Sequence, residues 1–351
     1  MHKPGLSSQS FVLREALSHT PCCCVSHSQT VAFQKRLAVS GPMDTFPCDE
    51  IRRFLKFEVP TQKVRFDTCE VVSEEDYDRI LIRYENEEGG QIPAFLLMPH
   101  GAGPFPAVLV HHQHNGQRHL GKSEVCGLVG DSFQAFGPAL ARRGIIVLAP
   151  DSICFEDRRT NCSGIEADAD ADWLQHYNEM CYRLVRGDTL MRRVLHDSAL
   201  GVSLLHSHAA VDQGRIGALG HSYGGNIVLF LAALDLRIAF SCSSGAACTY
   251  ANKMKSGTGI EMAEVIPEIV NRFDIADLIK CIAPRRILVV SASDDKYSRD
   301  ADVIVDHAKE SFANFGMEIH LKHRRYSGGH ALCGDRFADI IEWITVAAQS
   351  V

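Results

Sequence analysis

Short apolar segments alternate with segments of helical periodicity along most of this chain, and that alternation limits the folds it can adopt. The apolar segments have the length of strands, and their continuous apolar character is typical of strands covered on both faces. We therefore predict an α/β fold with a mostly parallel, doubly wound sheet and helices on both faces. The predicted strands of this part are Ala107–His112, Ile145–Ala149, Arg215–Leu219, Ile238–Cys242, Arg286–Ser291 and Glu318–Lys322.

An antiparallel hairpin is predicted before these strands. Arg79–Tyr84 and Ile92–Met98 are strand-like and flank Glu88-Gly89-Gly90, a sequence that suits a turn. This N-terminal hairpin is expected at one edge of the sheet. The predicted helices are Phe133–Arg143, Leu190–His208, Gly224–Leu234, Asp300–Phe315 and Asp335–Ala348.

The first 42 residues differ in composition from the rest of the chain. They are rich in serine, histidine and threonine, and Glu15 is their one acidic residue. Such a segment is typical of a disordered extension or of a targeting segment. Residues 43–351 are predicted to form a single domain, with insertions near 151–189 and 246–283. Both insertions are expected over the carboxyl edge of the sheet, where ligands bind in folds of this class.

Charge and cysteine content narrow the class of protein. The chain carries 36 Lys and Arg against 43 Asp and Glu, so a nucleic-acid binder is not expected, because such proteins have a basic excess. The 13 cysteines are scattered and odd in number, which favours reduced thiols over a disulfide framework. No apolar run reaches about 18 residues, so no membrane span is predicted. A cytoplasmic location is expected, with mitochondrial import through the N-terminal extension as the alternative.

The sequence Gly220-His221-Ser222-Tyr223-Gly224 is the strongest chemical signal in the chain. A predicted strand precedes it and a predicted helix follows it, which is the context of a nucleophile on a sharp turn. The glycines remove side chains that would clash at such a turn. The hydroxyl of Ser222 is then presented at the sheet edge, and the amide of Tyr223 points to where an oxyanion would form. The simpler alternative is that Ser222 caps the helix.

A serine nucleophile needs a base and a third group that orients the base, and in this context they follow in the order acid, histidine. His330 lies after the last predicted strand and between glycines and the closing helix, and we predict that it is the base. His320 and His323 are rivals. The acid is expected after the strand that ends at Ser291, and Asp295 is preferred over its neighbour Asp294.

Four histidines lie close together in the sequence and suggest a metal site at first sight: His111, His112, His114 and His119. Successive residues of a strand point to opposite faces, so these side chains are not expected to converge and no metal is predicted. The fold needs a second oxyanion donor in the loop after this strand. We predict that the backbone amide of Gln113 or His114 supplies it.

The insertion near 151–189 contains an acidic run and several bulky apolar side chains. Asp168, Asp170 and Asp172 have the spacing of a calcium loop, but Trp173 occupies the position that requires glycine. A solvated acidic face or an acidic helix start is therefore the preferred interpretation. Four further residues either line an acyl or alcohol pocket or form the core of the insertion: Trp173, Tyr177, Met180 and Tyr182.

About residues 60–348 resemble the α/β-hydrolase superfamily, in particular its dienelactone-hydrolase-like and acetyl-esterase-like members. The resemblance is carried by the motif around Ser222, by Gly144–Asp151 and by Ala283–Arg286. It also implies that Lys122–Gly127 belongs to the oxyanion-loop region. Dienelactone hydrolases proper use cysteine as the nucleophile, and Ser222 at that position favours a serine esterase.

These features together predict a serine hydrolase that cleaves a small acyl ester through Ser222, His330 and Asp295. No Gly-rich phosphate-binding sequence is present, and the predicted chemistry needs no cofactor. A peptidase or thioesterase with the same three residues is the first alternative. The second is a non-catalytic binding protein on the same fold, which would typically lack one of the three.

Overall fold

The computed structural model describes residues 48–350, so the prediction for residues 1–42 lies outside the described part of the chain. One sheet contains the strands β1 Phe66–Ser73, β2 Tyr77–Glu85, β3 Gln91–Pro99, β4 Phe105–His111, β5 Ile146–Pro150, β6 Val211–His221, β7 Phe240–Ser244, β8 Arg286–Ala292 and β9 Leu321–Tyr326. Its strand order is β1-β2-β3-β5-β4-β6-β7-β8-β9.

The sheet is antiparallel at one edge and parallel elsewhere. Strands β1, β2, β3 and β5 pair antiparallel, with Tyr84 opposite Ile92 in the hairpin. From β5 through β4 to β9 every pair is parallel. The predicted mostly parallel sheet with an N-terminal hairpin at its edge is thus confirmed. Strand β1 was not predicted, because most of its side chains are exposed and its sequence has little apolar patterning.

Helices cover both faces of this sheet. They are α1 Cys48–Phe54, α2 Lys122–Val125, α3 Phe136–Ala141, α4 Ala169–Val185, α5 Leu190–Ser207, α6 Tyr223–Leu234, α7 Tyr250–Ser256, α8 Ile275–Ile282, α9 Ala301–Ala313 and α10 Gly334–Gln349. Strand β5 shows why its sequence is continuously apolar. Ile146 and Leu148 join the hydrophobic cluster on one face, whereas Val147 and Ala149 join the cluster on the other.

Two predicted elements differ in the structure. The helix predicted at Phe133–Arg143 is divided into a 3₁₀ turn at Ser132–Gln134 and α3, because Pro138 lies in the first turn of α3. A proline ring clashes with the carbonyl four residues earlier, so a regular helix cannot extend further back from it.

The last strand is the second difference. The strand predicted at Glu318–Lys322 is wrong in position, since Glu318–His320 is a 3₁₀ turn and β9 begins at Leu321. Strand β9 lies at the sheet edge and carries basic side chains, which is how edge strands avoid further pairing. His323 therefore lies within the strand, where its Nε2 is 2.8 Å from Ser291 Oγ.

Within residues 48–350 no helix combines the length and the apolar character needed to cross a membrane.

A buried ion cluster fixes the loops next to β5. The Nζ atom of Lys122 donates to Asp151 Oδ2 at 2.8 Å, to Asp157 Oδ2 at 2.7 Å and to Glu156 Oε1. Burial, together with the charge of Glu156, raises the pKa of Asp151 to about 7. The ammonium group thus compensates three carboxyl groups that would otherwise repel one another in a poorly solvated site.

We predict that Lys122→Met lowers the free energy of unfolding by about 3–5 kcal/mol, because it leaves buried carboxyl groups without their counter-ion. Without the ammonium group, the pKa of Asp151, which burial already raises, rises further in the folded state. The folded state then binds more protons than the unfolded one, so the loss should be larger at about pH 8 than at about pH 5. Urea unfolding of the variant and of the unmodified protein at both pH values measures this loss in the free energy of unfolding.

The matched control is Lys309→Met, which removes an exposed ion pair with Asp306. Exposed pairs contribute little, so this variant should differ from the unmodified protein by less than about 1 kcal/mol. Equal effects of the two substitutions would contradict the role assigned to Lys122.

Candidate active site

Ser222 lies at a sharp turn between β6 and α6, with φ 56° and ψ −118°. This conformation is rare for a residue other than glycine and persists only where surrounding structure enforces it. The close packing of Gly220 on Gly224 does so, since a Cβ on Gly220 would lie 2.3 Å from the Gly224 carbonyl. The Ser222 amide also donates to the Ser244 carbonyl at 2.8 Å. The turn that the sequence motif predicts is therefore present, with the serine at the carboxyl end of β6.

A line of hydrogen bonds runs from Ser222 through His330 to Asp295. His330 Nε2 is 2.7 Å from Ser222 Oγ, and His330 Nδ1 is 3.0 Å from Asp295 Oδ1. Asp295 follows β8 and His330 follows β9, so all three lie at the carboxyl edge of the sheet. These distances are those at which a base takes a proton from a nucleophile.

Asp295 is buried and its carboxylate is well hydrogen-bonded. Burial opposes its charge, but the bond from His330, with those from the Ser298 hydroxyl and the Tyr297 amide, outweighs burial and lowers the pKa of Asp295. Asp294, the alternative acid, is exposed, and its amide donates to the Gly328 carbonyl. The structure brings Asp295, and not Asp294, to His330.

The imidazole of His330 contacts two other rings. The ring centroid of His221 is 4.9 Å from that of His330, and the ring centroid of Tyr297 is 4.8 Å from it. His221 Nδ1 is 2.9 Å from Ser244 Oγ. Burial, with a smaller contribution from His330, lowers the pKa of His221 to about 3, so this second ring is neutral near pH 7. Sequence analysis did not assign a role to His221, although it lies inside the motif.

The loop after β4 passes directly beside Ser222. A Cβ on Gly224 would lie 2.3 Å from the His111 carbonyl, so the loop and the start of α6 are in close contact. The Gln113 side chain donates to Glu124 Oε1 at 3.0 Å, away from the serine. The His114 side chain lines the same cavity as Ser222.

Tyr223 holds the first position of α6, where an N–H has no partner within the helix. Its ring is buried, stacks on Phe155 and exchanges a hydrogen bond of 2.7 Å with Ser152 Oγ. Packing of the ring keeps the amide in place beside Ser222. The segment Lys122–Gly127, which the resemblance assigns to the oxyanion-loop region, contributes Lys122 to the buried ion cluster.

The histidines near β4 make separate contacts. His112 Nδ1 donates to the Gln113 carbonyl and its Nε2 accepts from the Ser152 amide, so both ring nitrogens are used. Burial lowers the pKa of His111 to about 3 and of His112 to about 4. Among residues 48–350, the group with ligand atoms close enough to share a metal ion is Asp151, Glu156 and Asp157, and Lys122 occupies its centre.

A cavity of about 360 Å³ opens onto Ser222 and His330. Part of its lining is charged and was missed by sequence analysis. Lys253 donates to both oxygens of Glu264, at 2.9 and 2.7 Å, and Asn226 Nδ2 donates to Glu264 at 3.0 Å. Asn226 carried a usable signal, because a residue four positions after Ser222 lies one helical turn along the same face.

Sequence analysis left open whether the bulky residues of the insertion near 151–189 line a pocket or form a core, and the structure shows both cases. Trp173 lines the cavity, whereas Met180 is buried in the hydrophobic core. Asp168 is the N-cap of α4. Asp172 forms a buried ion pair with Arg159, whose Nη1 lies 2.7 Å from Asp172 Oδ1 and 2.8 Å from Asp172 Oδ2. The acidic run is thus a helix start, one of the two preferred interpretations, whereas Asp172 is buried and does not belong to a solvated face.

Comparison with known proteins gives matches to esterases and to a hydrolase. A family model described as acetyl xylan esterase matches residues 171–252, which include the Ser222 motif. The Bacillus subtilis (strain 168) protein named "Putative hydrolase YtaP" is 27% identical over 249 residues, covering 68% of this chain and 77% of that protein.

Solved structures agree with this chain over most of its length. A Bacteroides fragilis protein described as a putative acetyl xylan esterase has a TM-score of 0.65 at 16% identity, covering 86% of this chain and 83% of that one. Glucuronoyl esterase from Solibacter usitatus has a TM-score of 0.62 at 14% identity, covering 86% and 92%. The resemblance predicted from sequence is confirmed: the chain has the α/β-hydrolase fold, and the proteins it matches are hydrolases and esterases.

Proposed function

We propose that this chain is a serine hydrolase that cleaves carboxylic esters through Ser222, His330 and Asp295. The observation that carries the proposal is the line of hydrogen bonds from the strained serine through the imidazole to a buried carboxylate. Asp295 fixes the imidazole with its proton on Nδ1, which leaves Nε2 free to accept the proton of Ser222.

Hydrolysis proceeds in two stages. Ser222 Oγ attacks the ester carbonyl carbon while His330 Nε2 takes the hydroxyl proton, and His330 then returns that proton to the leaving alcohol. A water molecule, deprotonated by His330, then attacks the acyl carbon. The bond from that carbon to Ser222 Oγ breaks, His330 returns the proton to Ser222 Oγ, and the acid is released. Asp295 stabilises the imidazolium formed in each stage, and its lowered pKa keeps it ionised for that role.

Oxyanion stabilisation is assigned to backbone amides. The Tyr223 amide lies next to Ser222 at the N-terminus of α6, where the helix dipole also favours negative charge. The second donor is assigned to the amide of Gln113 or His114, in the loop that contacts the start of α6. Each such donor typically lowers the barrier by about 3–4 kcal/mol.

Esters are favoured over amides and thioesters because the matched proteins are esterases, among them an acetyl xylan esterase family and glucuronoyl esterases. We propose a small acyl group, such as acetyl, as the part that is transferred to Ser222. A panel of acetyl esters, peptides and acetyl thioesters tests the choice. Preferred turnover of a peptide or thioester would show that the ester assignment is wrong.

We predict that Ser222→Ala abolishes hydrolysis of p-nitrophenyl acetate, with kcat lowered roughly 10⁶-fold, because the triad acts as a unit. Circular dichroism should show an unchanged fold. A fluorophosphonate probe should label the unmodified protein at Ser222, as peptide mass spectrometry can determine.

The control for this variant is Ser207→Ala, which removes a hydroxyl that bonds the Leu204 carbonyl at the end of α5, away from the cavity. It should keep full activity and full labelling. Retained activity in Ser222→Ala, or labelling at another serine, would refute the proposed nucleophile.

A second prediction separates the adjacent aspartates. Asp295→Asn should lower kcat by roughly 10⁴-fold, because an amide favours the wrong tautomer of His330. Asp294→Asn should leave kcat within about twofold, since this side chain is exposed and does not reach His330. Steady-state kinetics on one acetyl ester measures both variants, and a reversed ranking would transfer the role to Asp294.

A further inference from the structure

Trp173 stands at the entrance of the cavity that contains Ser222. It belongs to α4 and lines the cavity, yet 47% of its surface is exposed. Tyr177, one helical turn further on, is 40% exposed, and the two rings are nearly parallel, with centroids 5.0 Å apart and an angle of 10°. An exposed aromatic pair at the entrance of a catalytic cavity is unusual for side chains that only support the fold.

The position of α4 is fixed by contacts on its buried side. Asp172, adjacent to Trp173, is held by Arg159, and Arg118 Nε donates to His176 Nδ1 at 2.9 Å. Met180 provides an apolar anchor with only 8% exposure. These contacts hold the backbone of α4 beside the cavity without using the side chain of Trp173.

Tyr177 restricts the ring of Trp173 further. It covers one face of the indole, and it is not among the residues that line the cavity. Of the two rings, Trp173 therefore borders the cavity and Tyr177 does not. A flat group entering the cavity can continue the stack, and the indole loses little freedom when it does so, because Tyr177 already orders it.

The lining of the cavity also offers polar contacts. Glu261 Oε1 accepts from the Met262 amide, while its Oε2 lies 3.6 Å from His114 Nδ1, beyond hydrogen-bond distance. His114 Nδ1 itself accepts from the Gly116 amide, so it cannot also donate to Glu261. Glu261 Oε2 thus remains able to accept a hydrogen bond from a ligand hydroxyl.

On the basis of the proposed esterase function, we propose that Trp173 is a specificity-determining residue that stacks on a ring in the alcohol part of the ester. The alcohol part is chosen because it must leave the site before water enters, and Trp173 lies on the solvent-exposed side of the cavity. The shared chemistry is a six-membered ring with a flat apolar face, either an aromatic ring or the carbon face of a pyranose.

The test compares acetates that differ only in the alcohol: phenyl acetate, a monoacetylated methyl pyranoside and ethyl acetate. Methyl benzoate, which carries its ring in the acyl part, is measured beside them. We expect Trp173→Ala to lower kcat/KM for the ring esters about three- to tenfold more than for ethyl acetate, the size of one stacking contact. Dividing each variant's value by that of the unmodified protein removes the intrinsic reactivity of each ester. We call kcat/KM for a ring ester divided by kcat/KM for ethyl acetate the ring-to-chain ratio. This ratio does not depend on the fraction of folded enzyme.

Trp173→Phe should largely restore the ratio, because a flat ring is retained. The matched control is Tyr182→Ala, on the same helix, 55% exposed and not part of the cavity lining, and it should leave the ratio unchanged. In Trp173→Ala, a loss of kcat/KM relative to ethyl acetate supports the proposal if it occurs with the phenyl ester, with the pyranoside or with both. Which of these esters is affected identifies the kind of ring.

Three results would overturn the proposal. One is an equal loss for ring and chain acetates, which would show a structural role. Another is an unchanged ratio in Trp173→Ala. The third is a loss confined to esters with the ring in the acyl part, such as methyl benzoate. If the unmodified protein hydrolysed no acetate at all, the proposed function would fail as well, whereas hydrolysis of ethyl acetate with an unchanged ratio refutes only the role of Trp173.

Discussion

The conformation of Ser222 is the constraint on which the rest of the site depends. A residue with φ 56° between β6 and α6 requires the chain to reverse sharply, and the packing of Gly220 on Gly224 makes that reversal possible. The same packing brings Gly224 against the His111 carbonyl, which fixes the loop after β4 relative to the serine. The proposed nucleophile and the proposed oxyanion loop are therefore in close contact, and the strained turn at Ser222 links the geometry of both.

Buried charges position the segments around this turn. Lys122 joins the loops near β5, Lys253 joins α7 to the segment that carries Glu264, and Arg159 holds the start of α4 through Asp172. Burying such pairs costs desolvation that their attraction only partly offsets, so their main contribution is to define one arrangement rather than to add stability. The wall that carries Trp173 thus has a defined position although it belongs to a long connection between strands.

Structural features that depend on neighbouring residues could be predicted from the sequence. Features that depend on contacts between separate segments could not. The strand, the glycines and the helix around Ser222 are contiguous, so the turn was predictable, and burial on both faces made β5 recognisable. The choice between Asp294 and Asp295 depends on the path of one loop, which the sequence narrows but does not decide. Strand β9 was misplaced because an edge strand carries charged residues and lacks an apolar signature. The partnership of Lys253 with Glu264 arises only when two segments of an insertion fold together.

The most direct test of the central claim is the crystal structure of the protein after reaction with a phosphonate ester, whose tetrahedral phosphorus imitates the intermediate of ester hydrolysis. The account predicts phosphorus bonded to Ser222 Oγ. One phosphonyl oxygen should lie about 2.7–3.1 Å from the amide of Tyr223 and from that of Gln113 or His114. A phosphonyl group on another residue, or an oxygen turned away from both amides, would contradict it.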